Sequence, residues 1–102
     1  NGGAGDDTLI GNLGNDFLTG GIGIDTISYQ TASGPVTVNL TKKKTTGAAG
    51  TDTLNTIENV IGSLFSDSIT GDAFNNLLDG GDLTLDNDTI LGGGGTDSII
   101  NA

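Results

Sequence analysis

The sequence of 102 residues lacks cysteine, histidine, methionine and tryptophan, and it contains only three basic residues. Without cysteine the chain can form no disulfide, and without cysteine or histidine it offers a metal neither thiolate nor imidazole ligands. The absence of histidine also excludes a catalytic triad built on an imidazole base. No apolar run approaches the roughly 20 residues of a transmembrane helix, so we expect no membrane span.

The chain has few positive charges and many negative ones. It carries 13 acidic residues, all aspartate except Glu58, and its formal net charge is −10. Nucleic-acid binding requires clustered lysine and arginine, so we expect no nucleic-acid partner and regard cations as the natural ligands. The basic residues are consecutive, at Lys42–Lys44, which indicates an exposed loop tip. A contact with an acidic neighbouring subunit or an anionic glycan is the alternative interpretation.

A nine-residue repeat rich in glycine and aspartate runs through most of the chain. Its first three copies, GGAGDDTLI, GNLGNDFLT and GGIGIDTIS, follow one another without a gap over residues 2–28. Further copies or variants cover residues 47–55, 62–70, 71–79, 80–91 and 92–100, and the one at 80–91 is extended to twelve residues. Every copy has an apolar residue second from its end: Leu9, Leu18, Ile27, Leu54, Ile69, Leu78, Ile90 and Ile99.

These apolar residues predict short strands. Each stands between residues that are mostly threonine or serine, and such a triplet is typical of a three-residue β-strand with one side chain directed inwards. The glycine-rich residues before each triplet predict a turn, because glycine takes a positive φ without penalty. Two nine-residue repeats then form one coil of 18 residues. Stacked coils predict an all-β fold, a parallel β-roll with a thin aliphatic core.

We expect a single module over residues 1–102, made of three segments. Residues 1–28 hold the tandem repeats, residues 29–61 form spacer coils, and residues 62–102 form a second, degenerate repeat block. Tyr29 is expected to pack at the edge of a coil. Apolar residues of the spacer are expected to extend the core: Val36, Val38, Leu40, Ile57, Val60 and Ile61.

The aspartates of the repeats predict a cation site. Asp7 and Asp25 occupy the same repeat position two copies apart, so they should lie about 4.8 Å from each other in neighbouring coils. Two carboxylates at that distance repel by about 3 kcal/mol at an effective dielectric near 20, which a cation between them would offset. Calcium fits this role because it takes about six to eight oxygen ligands from carboxylates and carbonyls in flexible geometry.

The repeat GGAGDDTLI resembles the GGxGxDxUx nonapeptide of the repeats-in-toxin (RTX) calcium-binding family, in which U is a large apolar residue. The resemblance implies a right-handed parallel β-roll in which calcium lies between turns two repeats apart, held by turn aspartates and main-chain carbonyls. The ligands it implies in this chain are Asp7, Asp16, Asp25, Asp52, Asp67, Asp88 and Asp97, with the carbonyls of Gly3, Gly5, Gly21 and Gly23.

Several copies depart from the family pattern. Asn12 replaces the second glycine of its copy, and Asn76 replaces an aspartate with a neutral side chain. Phe65 and Phe74 replace the glycine at the fourth position, where a bulky residue should resist the tight turn. The Asp7–Asp25 pair is therefore the strongest predicted site.

The resemblance also implies a function. Family members are mostly secreted bacterial proteins whose repeat block folds in extracellular calcium, so we expect a secreted, non-enzymatic calcium-binding module that acts as a structural and presenting scaffold. One alternative is a repeating subunit of an extracellular filament, surface layer or adhesin that stacks end to end. Another is the non-catalytic C-terminal arm of a secreted protease, lipase or alginate epimerase. Neither end shows a polar cap, so we expect self-association, or contact with neighbouring domains of a longer chain, through uncapped ends.

Overall fold

The computed structural model describes residues 2–10, 14–48, 50–81 and 88–100. Within these ranges the chain forms strands and no helix. The strands are β1 (Thr8–Ile10), β2 (Phe17–Thr19), β3 (Thr26–Ser28), β4 (Val36–Asn39), β5 (Lys44–Gly47), β6 (Asp52–Asn55), β7 (Asn59–Ile61), β8 (Ser68–Thr70), β9 (Leu77–Asp79), β10 (Thr89–Leu91) and β11 (Ser98–Ile100). Eight of them have the three-residue length that the triplets predict.

The strands form two sheets. One has the order β1-β3-β7-β9-β11, and the other has the order β10-β8-β4-β5-β6-β2. All pairs in the first sheet are parallel, as are the β2–β6, β4–β8 and β8–β10 pairs of the second. The first three strands alternate between the sheets, so within the tandem repeats the chain passes from one sheet to the other between consecutive strands. This is the all-β, parallel β-roll that the repeat predicts.

The spacer adds a feature that the sequence analysis did not predict. Strand β5 pairs antiparallel with β4 and with β6, so these three strands form a meander within the second sheet. No glycine-rich turn separates β4 from β5. Instead the chain reverses over a few residues, with the Lys43 amide donating to the Leu40 carbonyl and Lys43 in the left-handed region at φ 58°. All three lysines are exposed at this reversal, which confirms the predicted loop tip.

The number of residues between paired strands follows the lengths of the repeats and of the spacer that separate them. Thr8 pairs with Thr26, which confirms the predicted spacing of 18 residues between neighbouring coils. Strand β2 instead pairs with β6, and the equivalent aspartates are 36 residues apart because β3, β4 and β5 lie between them in the chain. The twelve-residue copy lengthens the spacing between β8 and β10 to 21 residues.

The core is a thin aliphatic layer between the sheets. Ile27, Leu54, Ile69 and Leu78 are buried, and Leu9, Leu18 and Ile90 are partly buried against them. These positions confirm the predicted inward residues. The prediction was wrong for Ile99, which is 45% exposed because β11 is the last strand of its sheet in the described part of the chain.

The spacer contributes to the same core. Val36, Val38, Leu40, Ile57 and Val60 are buried as predicted. Ile61 is only half-buried, because Val60 takes the inward position of the short strand β7. Tyr29 is fully buried within the core cluster, so it packs in the interior and not at the edge of a coil.

Candidate metal centre

The turns before β1 and β3 stack on each other. Gly3, Gly5, Gly21 and Gly23 all have a positive φ, between 82° and 115°. A methyl group at Gly21 would overlap the carbonyl oxygen of Gly3, and one at Gly23 would overlap that of Gly5. The structure therefore brings the four predicted glycines together, with the carbonyls of the first turn against the backbone of the next.

This close approach predicts a selective effect of substitution. Gly21→Ala should destabilise the calcium-loaded chain by about 1–3 kcal/mol more than Gly3→Ala, because only Gly21 has a carbonyl oxygen in the space of the added methyl group. Gly3→Ala is the matched control, since Gly3 is also left-handed but has no neighbouring atom within 4 Å of that position. Thermal denaturation in saturating calcium measures the difference, and equal losses would contradict the stacking.

Asp7 and Asp25 lie in register at the ends of these turns. The Asp7 amide donates to Asp25 Oδ1 at 2.9 Å, and Asp25 is fully buried. The second carboxylate oxygen of each residue, Oδ2, is buried and has no hydrogen-bond partner; these are the two such side-chain atoms in the described ranges. A buried carboxylate oxygen without a partner is costly, so both atoms indicate a ligand that supplies positive charge.

The carbonyl oxygen of Gly20 lies near Asp7 Oδ2, across the space beside Gly2. A methyl group at Gly2 would lie 2.6 Å from Asp7 Oδ2 and 2.8 Å from the carbonyl oxygen of Gly20. Asp7 Oδ2 and the Gly20 carbonyl thus converge at the space that the missing side chain of Gly2 leaves, and Asp25 is tied to the same place because its Oδ1 accepts from the Asp7 amide. We call these groups the Asp7–Asp25 cradle.

The donors of the Asp7–Asp25 cradle suit a hard cation. Carboxylate and carbonyl oxygens are the ligands that calcium takes. The described residues contain no cluster of three or more acidic side chains that could hold a metal. A cation there would therefore depend on one or two carboxylates together with main-chain carbonyls, which the stacked turns provide.

Asp16 and Asp52 form the equivalent pair on the second sheet, but their environment differs. The Asp16 amide donates to Asp52 Oδ1 at 2.9 Å. Asp52 Oδ2 accepts a hydrogen bond of 2.8 Å from the Tyr29 hydroxyl, which also lies 2.9 Å from the Thr45 hydroxyl. Burial raises the pKa of Tyr29, so its hydroxyl keeps its proton for this bond. Both oxygens of the fully buried Asp52 therefore have protein partners.

Asp67 is also satisfied within the protein. Its Oδ2 accepts from the Ser63 amide at 2.7 Å, and its Oδ1 accepts from the Ser63 hydroxyl at 2.6 Å and from the Val36 amide at 2.9 Å. The Asp67 amide donates to Asp88 Oδ1 at 2.8 Å, which places Asp88 in register one layer further on. Both carboxylate oxygens of Asp67 therefore accept hydrogen bonds from the protein, and neither is left without a partner.

The turns that contain phenylalanine adopt a different geometry. Neither Phe65 nor Phe74 takes a positive φ, and side chains close these turns instead. Asp72 Oδ1 accepts from the Phe74 amide at 2.9 Å, and Asn76 Oδ1 accepts from the Asp72 amide at 3.0 Å. Asp97 lies in register beyond, where its Oδ1 accepts from the Asn76 amide at 2.9 Å. Asn12 lies outside the described residues.

Sequence reasoning missed two residues beside Asp25. The Asp25 amide donates to Glu58 Oε1 at 2.8 Å, and the Gly21 amide donates to the Thr56 hydroxyl at 2.7 Å. Burial raises the pKa of Glu58, and the hydrogen bond from Asp25 partly offsets this effect. The only available signal was that Glu58 is the single glutamate of the chain, because residues 56–58 do not follow the repeat.

Comparison with known proteins agrees with this architecture. The family model described as RTX calcium-binding nonapeptide repeat, in four copies, matches residues 1–27, 61–82 and 84–100, well over half of the chain. No curated protein matches the chain. The described residues include no helix long and apolar enough to cross a membrane. RTX nonapeptide repeats bind calcium, and such modules are typically non-catalytic parts of secreted bacterial proteins. The chain belongs to the RTX calcium-binding nonapeptide repeat family.

Proposed function

We propose that this chain is a secreted module that folds when the Asp7–Asp25 cradle binds calcium, and that it then acts as a rigid scaffold. The observation that supports this most directly is the buried Oδ2 atom of Asp7, which has no hydrogen-bond partner and lies beside the Gly20 carbonyl. The stacked carbonyls of Gly3 and Gly5 and the positive φ of the turn glycines support it further.

Charge and topology explain why folding should depend on the ion. The chain carries a formal charge of −10, and folding brings Asp7 and Asp25 into adjacent layers. Without a cation, folding must bury two carboxylate oxygens without partners, which is costly. The unfolded chain does not hold these groups together, so the free energy of calcium binding contributes directly to folding.

Not every implied ligand has this role in the proposal. Asp7 and Asp25 would bind the ion together with the Gly20 carbonyl. Asp52 and Asp67 already accept hydrogen bonds on both oxygens, so we assign them a structural role. Calcium dependence would then arise mainly from the first sheet, near the tandem repeats.

A calcium titration followed by far-UV circular dichroism tests the proposal. We expect little β-structure in chelator and a cooperative gain of it in calcium. Once folded, calcium at about 100 times its Kd should stabilise the chain by about 2.7 kcal/mol per independent site relative to the ion-free native form. Magnesium is the control and should be less effective, because it gives up its hydration waters reluctantly. An equally folded chain with and without calcium would contradict the proposal.

A further inference from the structure

A second arrangement like the Asp7–Asp25 cradle lies one layer further along the first sheet. The Asp25 amide donates to Glu58 Oε1 at 2.8 Å, as the Asp7 amide donates to Asp25 Oδ1 at 2.9 Å. The next residues pair in the same way, Thr8 with Thr26 and Thr26 with Asn59. Glu58 therefore holds, relative to Asp25, the position that Asp25 holds relative to Asp7.

The main-chain oxygens follow the same pattern. A methyl group at Gly2 would contact Asp7 Oδ2 and the Gly20 carbonyl, and a methyl group at Gly20 would contact Asp25 Oδ2 and the Thr56 carbonyl. Asp25 is fully buried, and its Oδ2 has no hydrogen-bond partner. The partnerless oxygen of Asp25 therefore faces the Thr56 carbonyl across the space that Gly20 leaves.

The side chain of Thr56 helps to explain why that oxygen lacks a partner. In the turn before β8, the amide that follows the first glycine, that of Ser63, donates to Asp67 Oδ2. The equivalent amide in the turn before β3 is that of Gly21, and it donates to the Thr56 hydroxyl instead. Thr56 itself takes a left-handed conformation, with φ 52°, in a position where the repeats use glycine.

We propose that Asp25, Glu58 and the carbonyl of Thr56 form a second calcium site, stacked directly on the Asp7–Asp25 cradle. We call these groups the Asp25–Glu58 cradle. Thr56 and Glu58 lie outside the residues that the repeat family matches, so this site recruits ligands from the spacer. The inference rests on the proposed function, since the two cradles share Asp25. Its consequence is that bound calcium joins the tandem repeats to the spacer turn.

Counting bound ions by calorimetry and native mass spectrometry tests this inference in the full chain. Glu58→Gln should reduce the calcium count by one relative to the unmodified chain, since it removes the charge but keeps an oxygen that can accept from the Asp25 amide. Glu58→Asp retains the carboxylate and should retain the ion. Asp72→Asn is the matched control: it removes a nearby negative charge outside both cradles and should leave the count unchanged.

Asp7→Asn separates failure of this inference from failure of the proposed function. It should also remove one ion, because Asp7 belongs only to the Asp7–Asp25 cradle. If Asp7→Asn loses an ion and Glu58→Gln keeps the full count, the second site is wrong and the proposed function stands. If neither variant loses an ion, the proposed function is wrong as well. An equal loss in Asp72→Asn would show a general charge effect and would overturn the assignment to Glu58.

Discussion

Asp25→Asn is expected to remove two calcium ions from the chain and to abolish most of its calcium-induced folding. Asp25 contributes a carboxylate oxygen to the Asp7–Asp25 cradle, and its partnerless Oδ2 belongs to the Asp25–Glu58 cradle. Asparagine still offers an oxygen to the Asp7 amide, so the local hydrogen bond can persist while the charge is lost. Calorimetry gives the ion count, and circular dichroism in saturating calcium gives the folded fraction.

Asp52→Asn is the matched control for this experiment. Asp52 is as completely buried as Asp25 and accepts the equivalent amide hydrogen bond, from Asp16. Its second oxygen, however, accepts from the Tyr29 hydroxyl. We therefore expect Asp52→Asn to lower the stability of the calcium-loaded chain without changing its ion count. A loss of ions from Asp52→Asn equal to that from Asp25→Asn would contradict the division between ligand and structural aspartates.

The sequence could predict the Asp7–Asp25 contact because it depends only on the repeat. Three copies without a gap fix the spacing of 18 residues, and that spacing places equivalent residues in neighbouring layers. The glycines with positive φ and most of the inward residues follow from the same period. These features are local or periodic, so they are visible without coordinates.

The Asp16–Asp52 pair was harder to predict, because it depends on the meander of the spacer. Strand β5 joins the sheet by antiparallel pairing, and the chain reverses at Lys43 without a glycine. The repeat period carries no information about such a reversal. The spacing of 36 residues between the two aspartates therefore had to be read from the structure.

The sequence also could not show which aspartates have a carboxylate oxygen without a hydrogen-bond partner, the feature on which the proposed ligand set rests. Asp25 and Asp67 occupy the same repeat position, yet only Asp25 has an oxygen without a partner. The difference lies in the amide after the first glycine: the Ser63 amide donates to Asp67 Oδ2, whereas the Gly21 amide donates to the Thr56 hydroxyl and not to Asp25. Glu58 reaches its position through the turn of the spacer, where no repeat marks it. We therefore propose that hydrogen-bond partners outside the repeat pattern decide which repeat positions can bind a cation.

Tyr29→Phe is expected to destabilise the calcium-loaded chain by about 1–3 kcal/mol, because it leaves Asp52 Oδ2 buried without its hydrogen-bond donor. The Tyr29 hydroxyl donates a hydrogen bond to Asp52 Oδ2, whereas the Oδ2 atoms of Asp7 and Asp25 have no such donor within the protein. Phenylalanine preserves the packing of the fully buried ring, so a loss of stability would report the hydroxyl and not a cavity.

Denaturant unfolding at saturating calcium measures the loss, and calorimetry should show an unchanged count at the Asp7–Asp25 cradle. Thr45→Val is the matched control: Thr45 is equally buried and its hydroxyl lies 2.9 Å from the same Tyr29 hydroxyl, but the hydrogen bond to Asp52 Oδ2 comes from Tyr29 and remains possible in this variant. Its loss should be smaller, about 0.5–1.5 kcal/mol, the net worth of an ordinary hydrogen bond. If Tyr29→Phe is as stable as the unmodified chain, the hydroxyl does not replace a cation at Asp52, and the structural role assigned to that carboxylate is wrong.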